Sequence, residues 1–106
     1  MERISAPKGV VQMSVAVELF GILAQTAGIR EISIEVSESI TVEQLLDELI
    51  ARLGNQFKRL LIDKESEKYV PLMLMINGKD APWKETREKL LVVGDRVAIL
   101  PPIAGG

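Results

Sequence analysis

The most regular pattern along the chain is the alternation of apolar and polar residues in two early segments, 12–20 and 31–37. A period of two is typical of a strand with one buried face. The residues predicted to face inward are Met13, Val15, Val17 and Leu19 in the first segment and Ile32, Ile34 and Val36 in the second. Between them, residues 20–28 favour a short helical turn that ends at Gly28. We therefore expect two neighbouring strands that pair with each other.

An amphipathic helix is predicted to begin after Thr41. Thr41 and Gln44 have the spacing of a capping box, in which the Thr41 hydroxyl accepts a hydrogen bond from the Gln44 amide and the Gln44 side chain reaches back. Apolar residues then recur every three or four positions, at Val42, Leu45, Leu46, Leu49, Ile50 and Leu53. Gly54 ends the helix. Because a single apolar stripe must be buried, we expect this helix to lie across a sheet.

The second half of the chain predicts a hairpin and a final strand. Residues 71–76 form a strand with apolar residues on both faces, and Asn77-Gly78 is typical of a tight hairpin that returns from Lys79. Residues 97–100 follow the turn at Gly94-Asp95-Arg96 and are again apolar on both faces. Such a strand is expected at the centre of a sheet.

The remaining connections have less specific patterns. Residues 57–62 are predicted to add one or two helical turns. The almost fully charged segment 63–68 is predicted to be a solvated loop rather than a binding patch. Residues 82–86 are predicted to be a loop or turn. Within it, Trp83 is expected to cover the edge of the core, and the alternative is an anchor for a partner protein.

This order of elements predicts an α+β fold of the β-grasp type. A mixed sheet of four to five strands is crossed by one main helix, and the crossover allows the last strand to lie parallel to the first. We expect an N-terminal arm over residues 1–11, the folded domain over residues 12–100 and an extended tail over residues 101–106.

Composition narrows the chemistry that the chain can perform. The 106 residues are 47% hydrophobic and 26% charged, as in one globular domain, and include no Cys and no His. These absences exclude disulfides, Cys/His zinc sites, thiol nucleophiles and histidine bases, so we expect neither a metal nor a self-sufficient enzyme. A net charge of -2 argues against nucleic-acid binding. Because no apolar run suits a membrane span or a signal peptide, we expect no membrane association and a cytoplasmic location.

The last six residues carry the remaining chemical signal. Pro101 and Pro102 lack amide donors, so they end strand pairing and favour an extended path that reaches about 15–20 Å. Gly105 and Gly106 have no side chains, so a diglycine end can enter a channel too narrow for a Cβ atom. The terminal carboxylate is a poor acyl donor until another enzyme activates it, for example as an acyl-adenylate. The pattern therefore predicts a reactive end presented on an arm.

The sequence resembles the small subunit of molybdopterin synthase (the MoaD family) and its sulfur-carrier relatives, which include ThiS and archaeal small modifiers. The resemblance covers residues 12–106. The segments that carry it are 17–20, Gly28, 41–49, 76–78, 94–97 and above all Leu100-Pro101-Pro102-Ile103-Ala104-Gly105-Gly106. The diproline makes the tail more similar to the molybdopterin branch than to the thiamine branch.

The resemblance implies a ubiquitin-like β-grasp and a definite role for the tail. Gly106 would be adenylated by a ubiquitin-activating-like adenylyltransferase that uses ATP, and a sulfur donor would convert the adenylate to a thiocarboxylate. The large subunit of molybdopterin synthase would then accept the tail and pass the sulfur to a pterin precursor. In this scheme Gly105 gives clearance and Pro101, Pro102, Ile103 and Ala104 form the threading arm. The chain itself would hold no cofactor.

The resemblance also implies a partner surface at Phe20 and Leu100, although ordinary core packing is an equally favoured interpretation of both residues. Two other functions stay open. One is a protein modifier in which Gly106 forms an isopeptide bond with a lysine, and archaeal relatives can do both. The other is a ubiquitin-like binding module that does not use its tail chemically.

Overall fold

The computed structural model describes residues 13–101 of the chain. Its strands are β1 (Ser14–Leu19), β2 (Glu31–Glu35), β3 (Ser39–Thr41), β4 (Met73–Ile76), β5 (Lys79–Asp80), β6 (Leu90–Val92) and β7 (Arg96–Leu100). Its helices are α1 (Ile22–Ala27), α2 (Val42–Leu53), α3 (Asn55–Leu61) and α4 (Trp83–Thr86). The fold is the predicted α+β arrangement.

The main sheet has five strands in the order β2-β1-β7-β4-β5. β7 therefore lies at its centre, as its two apolar faces predict. It pairs parallel to β1, with Val17 opposite Val97, and antiparallel to β4, with Leu74 opposite Ile99. β1 also pairs antiparallel to β2. The mixed sheet and the parallel pairing of first and last strands confirm the β-grasp prediction.

Helix α2 is the crossover that covers the sheet. At its start the Thr41 hydroxyl accepts from the Gln44 amide and the Gln44 carboxamide oxygen accepts from the Thr41 amide, both at 3.0 Å, which confirms the capping box. The first four residues of the apolar stripe, Val42, Leu45, Leu46 and Leu49, are fully buried. Ile50 and Leu53 are partly buried and pack against the core from its margin.

The core lies between α2 and the inner face of the sheet. Its strand residues alternate with outward-facing neighbours, as in β1, where Val15, Val17 and Leu19 are buried. Helix α3 adds Phe57 and Leu61, which are fully buried and confirm the predicted extra helical turns. The charged segment 63–68 is exposed throughout, in agreement with a solvated loop.

Three details differ from the sequence predictions. Met13, predicted to face inward, is 47% exposed because it precedes β1 and lies beyond the last pair of the β1–β2 ladder, Ser14 with Glu35. Residues 82–86, predicted to be a loop or turn, contain the single-turn helix α4, which begins after Pro82, a residue suited to a helix start. Strands β3 and β6 form a separate two-stranded sheet. Each has three residues, too few to show a period of two.

Among residues 13–101, no helix is long and apolar enough to cross a membrane. The same residues contain no group of three or more carboxylate, imidazole or thiol side chains that could hold a metal ion.

Candidate functional site

The candidate site begins where the central strand ends. Leu100, the last residue of β7, is partly buried, and Pro101 follows it, also partly buried. The last parallel hydrogen bond beside this end joins the Phe20 amide to the Ile99 carbonyl at 3.2 Å. Pro102, Ile103, Ala104, Gly105 and Gly106, which carry the predicted chemistry, lie outside the described residues, as does the predicted arm over residues 1–11. β7 therefore fixes the base of the predicted tail between two neighbouring strands.

Pro101 lies against the turn that connects β1 to α1. Gly21, at the centre of this turn, has φ 59° and ψ -134°, and the Leu23 amide donates to the Phe20 carbonyl at 3.1 Å. These angles match the first central residue of a type II′ turn, which glycine strongly prefers. The predicted short helix is confirmed, and Gly28 ends it with the left-handed angles φ 79° and ψ 8°.

An exposed apolar surface surrounds the end of β7 on the side of the sheet that α2 leaves uncovered. We call it the sheet patch, and it consists of Phe20, Met73, Met75, Ala98 and Leu100. Strand register places Met73 opposite Leu100 and Met75 opposite Ala98. Phe20 is 45% exposed and Met73 44%, while the other three residues are partly buried.

Phe20 and Leu100 were singled out from the sequence, and the structure brings them together, because residue 20 continues the parallel register in which Leu19 lies opposite Ile99. Neither residue belongs to the buried core. Met73 and Met75 were missed as surface residues. Their signal was the second apolar face of the third predicted strand, residues 71–76.

Charged residues border the sheet patch along β1, β2 and β7. The Arg96 guanidinium lies 3.0 Å from a Glu18 carboxylate oxygen and 3.6 Å from one of Glu31. All three side chains are more than a third exposed, so solvent weakens these ion pairs. The arrangement places an apolar centre next to a charged margin, which is the usual composition of a protein–protein interface.

The motif at residues 94–97 has a structural role in this chain. Asp95 accepts hydrogen bonds from the Val92 amide at 2.9 Å and from the Asn77 carboxamide at 3.0 Å. Asn77 in turn accepts from the Arg96 amide at 2.9 Å. These bonds join the β4–β5 hairpin to the start of β7 and so hold the central strand in register.

A concave surface separate from the sheet patch lies at the start of α2. This groove of about 550 Å³ is lined by residues that include Glu43, Asp47, Tyr69, Trp83 and Arg87. The Arg87 guanidinium lies 2.9 Å from the Glu43 carboxylate and 5.9 Å from the centre of the Trp83 ring. Burial, together with the hydrogen bond to Asp47, raises the pKa of the Tyr69 hydroxyl. Two of the acidic groups in this groove are therefore paired, Glu43 with Arg87 and Asp47 with Tyr69.

Comparison with known proteins agrees with the geometry. The model of the ThiS family matches residues 17–106. The chain is 32% identical over 89 residues to small archaeal modifier protein 1 of Haloferax volcanii, with 84% of this chain and 97% of that protein covered. A crystal structure of the Haloferax volcanii protein superposes with a TM-score of 0.72 at 28% identity, over 88% of this chain and 99% of that one.

The chain is also similar to two further archaeal proteins. A protein of Archaeoglobus fulgidus that is provisionally named a sulfur carrier is 30% identical over 81 residues, covering 76% of this chain and 91% of that protein. A Pyrococcus furiosus structure, provisionally named subunit 1 of a molybdopterin converting factor, has a TM-score of 0.62 and 29% identity, over 85% of this chain and 98% of that one. With the β-grasp sheet and a family match over most of its length, the chain belongs to the ThiS family of ubiquitin-like sulfur carriers and modifiers.

Proposed function

We propose that the chain carries sulfur on its C-terminal glycine for the synthesis of molybdopterin. The observation that carries the proposal is the extent of the family match, which runs from β1 through the central strand to Gly106. Within the described part, β7 is hydrogen-bonded on both sides, which gives the tail a rigid base. The molybdopterin role draws on the diproline tail and on the Pyrococcus furiosus relative.

The chemistry takes place on the Gly106 carboxylate, inside partner proteins. The carboxylate attacks the α-phosphate of ATP, and pyrophosphate leaves as the acyl-adenylate forms. Hydrosulfide released by a sulfur donor then attacks the acyl carbon and AMP leaves, which yields the thiocarboxylate. Transfer of the sulfur to a pterin precursor, with water supplying oxygen, regenerates the carboxylate. Gly105 and Gly106 leave the acyl carbon unhindered, and residues 101–104 reach into each partner site.

The partners in this proposal are a ubiquitin-activating-like adenylyltransferase and the large subunit of molybdopterin synthase. The sheet patch is the docking surface for them, because it lies beside the base of the tail and carries both an apolar centre and a charged margin. A carrier that docks through this face presents its tail to the partner's active site.

Intact-mass spectrometry tests the proposal directly. The chain is incubated with the cognate adenylyltransferase, ATP and a sulfur donor, and we expect a mass gain equal to the replacement of one oxygen by sulfur at Gly106. A variant with one extra residue after Gly106 is expected to fold normally and to gain no sulfur. Thiocarboxylation of this extended variant, with the extra residue still attached, contradicts the proposal.

A second candidate function is protein modification through an isopeptide bond at Gly106. It is favoured by the small archaeal modifier protein that the chain resembles over 84% of its length. The two functions share the adenylate and diverge at the acceptor. Conjugates with target lysines, seen as a ladder on gels after incubation with ATP and cell extract, identify a modifier. Sulfur transfer to a pterin precursor by the reconstituted large subunit identifies the carrier.

A further inference from the structure

The turn before α1 contains a glycine whose surroundings differ from those of the other described glycines. A Cβ atom built on Gly21 would lie 3.0 Å from Cγ of Pro101 and 3.6 Å from its Cδ. Carbon atoms in favourable contact are about 3.5–4.0 Å apart, so with this methyl group present the proline ring would have to shift by a few tenths of an ångström. Gly28, Gly54, Gly78 and Gly94 also have positive φ, but a Cβ atom on any of them would meet nothing within 4 Å.

Pro101 packs closely against this turn, at the point where the sheet ladder ends. Its ring nitrogen has no hydrogen to donate, and the parallel ladder beside it ends with the Phe20 amide on the Ile99 carbonyl. The ring of Pro101 packs against Gly21, which has no side chain. Gly21 belongs to the type II′ turn that is closed by the hydrogen bond from the Leu23 amide to the Phe20 carbonyl. The turn and the first tail residue therefore fix each other's position.

We propose that Gly21 is a positioning residue for the C-terminal tail: its missing side chain makes room for Pro101 and so sets the position and direction from which the tail starts. This inference rests on the proposed function, because the direction matters only if Gly106 must reach a partner's active site. A displacement at residue 101 is carried forward to the reacting carbon. Misplacement of a reacting group by about 1 Å is enough to cost up to about 10²-fold in rate.

The experiment compares Gly21→Ala with Gly28→Ala. Both substitutions place alanine at a positive φ in the same short segment, but only Gly21→Ala puts a methyl group against Pro101. Rates of thiocarboxylation by the cognate adenylyltransferase and sulfur donor are measured at a temperature at which NMR spectra show every variant folded. We expect kcat/KM to fall by about 10-fold or more in Gly21→Ala and to change by less than about 2-fold in Gly28→Ala.

A double variant separates the contact from backbone strain. Pro101→Ala removes the ring atoms that the new methyl group meets and leaves the angles of residue 21 unchanged. Gly21→Ala/Pro101→Ala should therefore react at a rate within about 3-fold of Pro101→Ala alone, while its melting temperature stays as low as that of Gly21→Ala. An unchanged rate in Gly21→Ala overturns the proposal, and so does a slow rate that Pro101→Ala fails to rescue.

An NMR measurement on the wild-type chain tests the contact between Gly21 and Pro101 without any partner protein. NMR should show a nuclear Overhauser effect between the Hα atoms of Gly21 and the ring protons of Pro101, and its absence overturns the proposal. A wild-type chain that shows this contact yet gains no sulfur points instead to failure of the proposed function. The two ideas are thereby distinguished.

Discussion

The pairing of Tyr69 with Trp83 shows how single side chains complete the core at its edge. Their ring centres are 5.1 Å apart at an angle of 56°, and Trp83 is only 8% exposed. Trp83 thus covers the edge of the core, as the sequence favours. The Tyr69 hydroxyl donates to an Asp47 carboxylate oxygen at 2.6 Å, which ties the segment after α3 to the outer face of α2.

This environment predicts an unusual titration of Tyr69. Burial, and then the hydrogen bond to Asp47, disfavour the phenolate and raise its pKa above the usual value of about 10. Because Tyr69 is the single tyrosine of the chain, its absorbance at alkaline pH reports this group alone. We expect little phenolate signal while the protein is folded above pH ~10, and a normal titration near ~10 in denaturant.

The same shift links Tyr69 to stability. A folded-state pKa above the unfolded value means that the unfolded chain releases the proton first, so the contribution is complete below pH ~10 and is lost as the pH rises further. Tyr69→Phe should therefore flatten the alkaline fall in unfolding free energy measured with urea. A midpoint near pH 10 in the folded chain contradicts the predicted environment.

Among the elements, β7 connects the fold to the proposed chemistry. Its inner residues Val97 and Ile99 are fully buried, whereas Leu100 on its outer face joins the sheet patch. Apolar residues on both faces correctly predicted a central position in the sheet. They did not reveal that the outer face stays partly exposed at Ala98 and Leu100.

If partners dock on the sheet patch, a charge placed there should weaken their binding. Met73→Asp places a charge within the sheet patch, opposite Leu100, and we expect the dissociation constant for the adenylyltransferase or the large subunit to rise by about 10-fold or more, as at an interface hot spot. Leu90→Asp is the matched control, because Leu90 is 58% exposed on β6, in the separate small sheet. Titration calorimetry measures both. Equal weakening by the two variants, or none by Met73→Asp, contradicts the assignment.

At the scale of the whole molecule, the stability of the fold and the proposed reactivity of the tail are assigned to different residues. The core holds together through residues such as Ile34 and Leu49, which are fully buried between the sheet and α2. The proposed reactive carbon belongs to Gly106, beyond the end of β7. Changes in one part should therefore leave the other intact.

A pair of variants checks this separation. Ile34→Val removes one buried methyl group and should lower the unfolding free energy by about 0.5–1.5 kcal/mol, with sulfur loading unchanged below the melting temperature. Deletion of Gly105 and Gly106 should leave the unfolding free energy unchanged and abolish loading. Urea denaturation and intact mass measure the two properties. A truncated chain that unfolds earlier, or one that still supports molybdopterin synthesis, is inconsistent with the proposed division.

The local sequence determined those elements whose signals involve neighbours along the chain. The capping box of Thr41 and Gln44, the apolar stripe of α2 and the alternation in β1 are each encoded by residues close in sequence, so they were predictable, although β1 is shorter than the predicted segment 12–20. The Asn77-Gly78 hairpin belongs to the same class, with Asn77 at φ 52° and Gly78 at φ 83°. The diglycine tail was likewise singled out from residue types alone.

Only the tertiary structure decided which distant residues meet. The β3–β6 pair, the grouping of Phe20 with Met73 and the contact between Gly21 and Pro101 each join segments far apart in sequence. No local pattern encodes such contacts, because they depend on how α2 returns the chain and on the register in which β7 enters between β1 and β4. The sequence thus determined the elements and the proposed reactive group, and tertiary packing decided which residues form the exposed surface beside the end of β7.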